Sequence, residues 1–171
     1  MAVSKPLHPL NLKLGVVEAF YEALSAVNDK ELKLTADDIT YSDIKPDSSL
    51  EGANTSVLLT PVTTSKQVMG DPLVRHYTRW DMTDLLALYG FTDNQRKLHV
   101  SEDLATLDDD ILHALVLSDL NLVLDSDIGK EWTTWTRGAV TADEIKGTLA
   151  IVADCPTLLG TVEFTIAKET V

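Results

Sequence analysis

The chain has 171 residues, 44% of them hydrophobic, and a formal net charge of -13 at pH 7. Such a length and apolar content suffice for one compact body or two small packed ones. The acidic balance repels phosphate backbones, and the 14 Lys and Arg residues are scattered along the chain, which argues against nucleic acid as a partner.

No apolar run approaches the ~18 residues that a membrane-spanning helix needs. The opening stretch MAVSKPLHPLNLKLG lacks a continuous signal-peptide core. A lone cysteine, Cys155, cannot close a disulfide within the chain. A soluble protein, made in a cytoplasm and held together by its core, is expected.

From Asn11 to Val27, Val16, Phe20, Leu24 and Val27 recur every three or four positions with Glu18 and Glu22 between them, the period of a half-buried helix. Leu32 and Leu34 then alternate with Glu31, Lys33 and Thr35 ahead of Asp37 and Asp38, a pattern for a short strand entering a turn. Ser42 to Ala53 holds Pro46, Asp47, Ser48, Ser49 and Gly52 and reads as a surface loop. Thr55 to Pro61 and Leu73 to Trp80 read as an antiparallel pair of strands around the turn-like segment Thr63 to Gly70. Asp81 to Tyr89 fits a short helix with Met82, Leu85, Leu86 and Tyr89 on one face and Gly90 just past its end. Thr92 to Val100 is polar and less regular.

Ser101 is placed to cap a second amphipathic helix, Ser101 to Leu117, with Glu102 and Asp103 in its first turn and a stripe of Leu104, Leu107, Ile111 and Leu115. Leu120, Leu122 and Leu124 alternate with Asn121 and Val123 before Asp125 and Asp127, as a strand would. Thr148 to Ala153 and Thr161 to Ala167 give two more strands around Pro156 and Gly160. The later elements follow the earlier ones at an offset near ninety residues. The expected fold is α+β: antiparallel β-hairpins packed with two amphipathic helices. Two related half-units, residues 1–90 and 91–171, packed as one compact body, account for the echo, as does chance reuse of common elements.

Motifs that carry chemistry are mostly missing, with no phosphate-cradling glycine loop, no Gly-x-Ser-x-Gly elbow and no paired-cysteine metal spacing. His8, His76, His99 and His113 stand too far apart for helical zinc ligands. Cys155 would need a histidine folded against it to act as a nucleophile, so a buried small residue is the simpler reading. Asp125, Asp127, Gly129 and Glu131 offer oxygen ligands at short spacing but lack the third acidic ligand and the closing glutamate of an EF-hand loop. Asp108, Asp109 and Asp110 read as a solvated helix face. No catalytic residue, metal or cofactor is expected.

Trp132 and Trp135 lie three apart, so they share a face on a helical turn or oppose each other on a strand. A shared exposed face makes an aromatic anchor for a partner or a sugar; opposed rings put one in the core and one at a subunit contact. Both also fit simple core packing. With Trp80 they are the candidate partner-binding residues.

Asn54-Thr55-Ser56-Val57-Leu58-Leu59-Thr60, Gly70 and Val74-Arg75-His76-Tyr77-Thr78-Arg79-Trp80-Asp81-Met82 resemble segments of the virion structural proteins of large tailed bacteriophages. In those proteins an Asn-Thr start to a strand, a Gly-led return strand and a Tyr-x-Arg-x-Asp-Leu-like ending recur. Leu107 to Ile128 resembles their helix followed by Leu-x-Leu and an acidic Asp-Ile ending, also present at Leu32 to Ile39. The chain departs from them in having Trp80 and Met82 where smaller or leucine-like residues are usual.

The resemblance implies a non-enzymatic structural or adaptor protein of the virion, made in the host cytoplasm. Its implied partners are further copies of itself, as a homo-oligomer, and other virion proteins, with no nucleic acid or membrane. Two other readings of the residues are a carbohydrate- or receptor-binding module built on the tryptophans, and a small hydrolase around Asp125 and Asp127.

Overall fold

The computed structural model describes residues 11–26, 32–91 and 95–169. The fold is α+β. Its packing falls into two compact units, Met1–Arg79 with Ala153–Thr157, and Trp80–Val152 with Leu158–Val171.

In the first unit a 3-10 turn, Leu12–Leu14, leads into α1 (Val16–Ala26). The helical spacing turns Val16, Ala19, Phe20, Ala23 and Leu24 inward and leaves Glu18 and Glu22 outside. His8, Val27 and Glu31 lie outside the described residues. Three strands, β1 (Ile39–Pro46), β2 (Thr55–Pro61) and β3 (Leu73–Tyr77), form an antiparallel meander in that order. The β2–β3 pair is the one the sequence pattern predicts. Phe20, Leu24, Leu34, Ile39, Val57, Leu59 and Tyr77 make the core between helix and sheet.

Two expectations fail in this unit. No strand forms from Leu32; the chain runs irregularly into a turn at 36–38, and the first strand starts at Ile39. The cause is Asp38, whose carboxylate accepts from Thr35 N at 3.2 Å, Ser65 Oγ at 2.7 Å and Gln67 Nε2 at 3.1 Å. The acid closes the turn and ties the start of β1 to the segment after β2. Of the loop expected from Ser42 to Ala53, residues 47–53 do form one, but Ser42 to Pro46 is the second half of β1, hidden by a bulge: its register with β2 shifts between Ser42 and Lys45, with Asp43 at φ 53°.

In the second unit β4 (Trp80–Asp81) pairs in parallel with β8 (Leu158–Leu159). Asp81 caps α2 (Met82–Leu88) by accepting from Thr83 N at 2.8 Å, so this helix, expected to close the first half, belongs to the second unit. Met82, Leu85 and Leu86 are buried as their spacing predicts, while Tyr89 beyond the helix is exposed. The segment read as irregular holds β5 (Gln95–Val100), which runs parallel to β9 (Thr161–Lys168). With β6 (Thr133–Val140) and β7 (Glu144–Ile151) these form a mixed sheet ordered β5-β9-β7-β6.

The long helix α3 (Asp109–Leu124) replaces both the helix expected at 101–117 and the strand expected from Leu120. Its cap is Asp108, not Ser101: the Asp108 carboxylate accepts from Ile111 N at 2.8 Å. Ahead of it, Asp103 caps a 3-10 turn, Leu104–Thr106. The expected stripe therefore mixes a turn with a helix and names the wrong face. Leu112, Val116, Leu117, Leu120 and Leu124 point inward, whereas Ile111 is 46% exposed. Leu120 and Leu124, four apart, share the inward helix face, whereas Leu122 between them is exposed, so an alternation that suggests a strand is also compatible with a helix. Asp125, left-handed at φ 50°, ends it.

Both units place a helix ahead of a three-stranded antiparallel meander, α1-β1-β2-β3 and α3-β6-β7-β9. The register of β6 with β7 also shifts late in the strand, between Arg137 and Val140. Gly70 and Gly160, both at positive φ, precede β3 and β9. Among the described residues only the second sheet carries a further strand, β5, along its last strand.

Candidate functional site

The Tyr77-x-Arg79-x-Asp81 run can be followed atom by atom. Asn54, just before β2, clamps the end of the β3 segment: its Nδ2 donates to Arg79 O at 2.9 Å and its Oδ1 accepts from Arg79 N at 2.8 Å. The Arg79 side chain, only 4% exposed, donates from Nε to Thr55 Oγ1 at 3.0 Å and from Nη1 to the carbonyls of Ala153 and Cys155 at 2.8 and 3.0 Å. These acceptors are neutral oxygens; among the described residues no carboxylate pairs with it. A buried cation is tolerable only with its protons used in this way. The Tyr77 hydroxyl donates to Pro156 O at 2.9 Å, and burial pushes its pKa up, so it remains a donor.

Asp81, in the second unit, is equally occupied. Besides capping α2 its carboxylate lies so near Gly160 that a Cβ there would sit 2.9 Å from Oδ2. Gly160, at φ 96°, is therefore required twice over, by conformation and by space.

The three tryptophans are all half-buried. Trp80 sits in β4, Trp132 ends the 3-10 turn Lys130–Trp132, and Trp135 lies within β6, so the last two share neither a helical turn nor a strand. Trp135 packs edge-on against Phe164, centroids 6.4 Å apart, and covers Gly147, where any Cβ would strike the indole.

His76, Asp47 and Ser49 come together at the start of the loop after β1. Asp47 Oδ2 and Ser49 Oγ both approach the same ring nitrogen of His76, Nε2, at 3.1 and 3.5 Å. A nucleophile relay needs the acid on one ring nitrogen and the hydroxyl on the other; this arrangement fixes a loop. Hydrogen bonds from Ser49, aided by Ser56 and the His76 charge, hold the Asp47 pKa down at about 2.

The acidic run after α3 is organised by an amide. Asn121 Oδ1 accepts from Ile128 N and Ser126 Oγ, both at 2.8 Å, and its Nδ2 donates to Ile128 O at 2.9 Å. Asp125 and Asp127 are exposed around this knot, and among the described residues no three His, Cys, Asp or Glu side chains gather closely enough to hold a metal ion. Cys155 is fully buried with its Sγ 3.9 Å from Thr157 Oγ1. His113, also buried, meets Thr133 Oγ1 at 2.7 Å through Nε2.

Surface apolar groups are the residues that sequence reasoning misses. Leu73 and Val74 on β3 are 59% and 54% exposed, and Met69, in the segment before β3, is also exposed. Ile111 and Leu122 project from α3. The linear pattern held one signal for the first group: adjacent apolar residues in a strand point to opposite faces, so a sheet with one covered face leaves one of them outside. Compared with protein-family models, with curated proteins and with solved structures, the chain matches none.

Proposed function

We propose that the protein is a non-enzymatic, self-associating structural or adaptor component of a tailed-phage virion, acting through repeated contacts with copies of itself and with other virion proteins. The observation that carries self-association is β3. It is an edge strand with unbroken register against β2, and its Leu73 and Val74 face solvent. An edge of this kind offers unpaired N–H and C=O groups together with apolar side chains. The opposite edge, β1, is guarded by its bulge, Lys45 and Pro46.

Assignment to a virion follows from the resemblance carried by residues 54–60, 70 and 74–82. In a symmetric particle modest contacts add up across many copies, so no single interface has to be strong. The half-exposed Trp80, Trp132 and Trp135 serve in this reading as aromatic anchors for partners. The shared order of helix and meander is read as the trace of one unit used twice. Mass spectrometry and imaging of purified particles test the proposal: the protein is expected in fixed copy number in intact particles. Its absence there, with presence only in infected-cell lysate, would reject the reading.

A further inference from the structure

We infer that the groove between α1 and the segment 32–37 is the seat of the chain's own residues 5–10, bound there as an extended proline-rich strap. The inference concerns the first unit alone, to which the strap and both walls of the groove belong, and it is independent of the self-association reading above.

The groove encloses about 690 Å³. One wall is the side of α1 that carries Val17, Tyr21, Ser25 and Ala26, and the other is the run from Leu32 to Asp37. The polar groups of its floor are engaged with one another. The Tyr21 hydroxyl donates to Ile39 O at 2.8 Å, and Ser25 Oγ donates to Tyr21 O at 2.7 Å while accepting from Leu34 N at 2.9 Å. The rim is acidic. Glu18, Glu22 and Asp37 are exposed on it, Lys33 is the base set against them, and among the described residues none of the three carboxylates is paired with a cation. An occupant must therefore be apolar, carry positive charge at its edge and require few hydrogen bonds.

Lys5-Pro6-Leu7-His8-Pro9-Leu10 meets all three conditions. Its prolines favour the extended polyproline II form and supply no N–H groups, and at three residues per turn Pro6 and Pro9 fall on one edge. Pro-x-x-Pro segments dock in this form into apolar grooves that hold an aromatic side chain, here Tyr21. Lys5 brings the charge. The first acid of the chain is Glu18, so residues 1–17 contain Lys5 and Lys13 and no carboxylate, in a protein with 27 acids against 14 bases. The rim attracts that stretch and repels the acidic remainder.

Length fits as well. From Val17 to Ala26 the α1 wall rises about 13.5 Å at 1.5 Å per residue. Six residues of polyproline II cover about 19 Å at 3.1 Å each. Asn11, the first described residue, enters the turn that leads directly into α1, so the strap starts beside its own groove. A segment tethered this closely is present at an effective concentration on the order of millimolar and prevails over the same segment of another copy.

Zero-length cross-linking of the full chain with a carbodiimide tests this, because the reagent joins a lysine only to a carboxylate in direct contact with it. Lys5 is expected to link to Glu18 or Glu22 within one chain, read by peptide mass spectrometry on a mixture of unlabelled and isotope-labelled protein. Leu7→Ser removes an apolar anchor and leaves the charge, and Ala26→Trp fills the groove from an exposed position. Each is expected to abolish the link with an unchanged far-ultraviolet circular dichroism spectrum. In a second readout Ala36→Cys, exposed on the opposite wall, is expected to react with iodoacetamide several-fold faster once Leu7→Ser is added; the native Cys155 is fully buried. Lys5 links spread over acids away from the groove, links that join labelled to unlabelled chains, or links that survive both substitutions would each overturn the assignment. So would an Ala36→Cys rate indifferent to Leu7→Ser.

Discussion

Replacing Phe20 by alanine is the sharpest probe of the first unit's core. The side chain is 2% exposed, and its ring stands edge-on to three tyrosines, with centroids 5.0 Å from Tyr41 and 5.8 Å from both Tyr21 and Tyr77. Truncating a buried phenylalanine costs about 3–5 kcal/mol, the loss of transfer energy plus the cavity left behind. Three aromatic contacts, each worth about 0.5–1.5 kcal/mol beyond burial, place this site at the upper end. At about 4 °C per kcal/mol for a body of this size, the melting temperature falls by about 20 °C. Phe20→Leu keeps most of the apolar volume and recovers more than half of that loss. Near-ultraviolet circular dichroism is the local assay: Tyr21, Tyr41 and Tyr77 belong to the first unit, and Trp80, Trp132 and Trp135 to the second. A tyrosine-reported midpoint unchanged in Phe20→Ala, or a leucine variant no better than the alanine one, would refute the assigned helix face.

Arg79→Lys keeps the charge but cannot reach Thr55, Ala153 and Cys155 with one rigid fork. Destabilisation of about 2–4 kcal/mol is expected in urea melts, with faster proteolysis at 153–157. Asp38, held below the ordinary carboxylate range first by the Ser65 hydroxyl, and Asp47, held down to about 2 first by Ser49, both take up protons more readily in the unfolded chain. Both contributions are complete above the ordinary carboxylate range, at about pH 4, and weaken as the pH falls below it; that of Asp47 is lost towards pH 2, so Asp47→Asn flattens the acid limb of a melting-temperature profile. For His113 the pKa is lowered, first by burial and then by Lys130, so the fold favours the neutral ring. Its contribution is complete above about pH 6.5 and declines as the pH drops below that, and His113→Gln removes this slope. Thermal melts with chelator and with calcium coincide, because Asn121 rather than a cation closes the loop after α3; a rise of several degrees with calcium would overturn this.

The elements that could be read from the sequence were those whose period and caps agree. α1 and α2 repeat apolar residues at helical spacing, and β2, β3, β9 and the second half of β7 are rich in β-branched residues or alternate; β6 and the first half of β7 were not expected. Where local chemistry competes, the reading fails for identifiable reasons. β1 contains turn-forming residues because it is bulged and ends at a proline. β5 is an edge strand of Gln95-Arg96-Lys97-Leu98-His99-Val100, in which only Val100 is buried, so its apolar signal is faint. Ser101, Asp103 and Asp108 all qualify as helix caps, and sequence spacing alone does not rank them. Arg79 was legible only as part of a motif, since its acceptors are backbone carbonyls 74 and 76 positions away.

That last case separates two kinds of sequence signal. In the Tyr77-x-Arg79-x-Asp81 run every polar group singled out by its spacing is engaged within the fold: the phenol by Pro156, the guanidinium by Thr55 and two carbonyls, the carboxylate by the first turn of α2. A run whose side chains are consumed in this way reports how the chain folds and leaves nothing over for chemistry. The exposed apolar residues, such as Leu73, Val74, Ile111 and Leu122, carry no motif. Ile111 and Leu112 are neighbours of the same class, yet one is 46% exposed and the other fully buried. Leu112 lies on the stripe it shares with Val116, Leu120 and Leu124, and Ile111, about 100° away around α3, falls outside it. An apolar residue's type thus does not say whether it is core or surface; its angular position on the packed helix does.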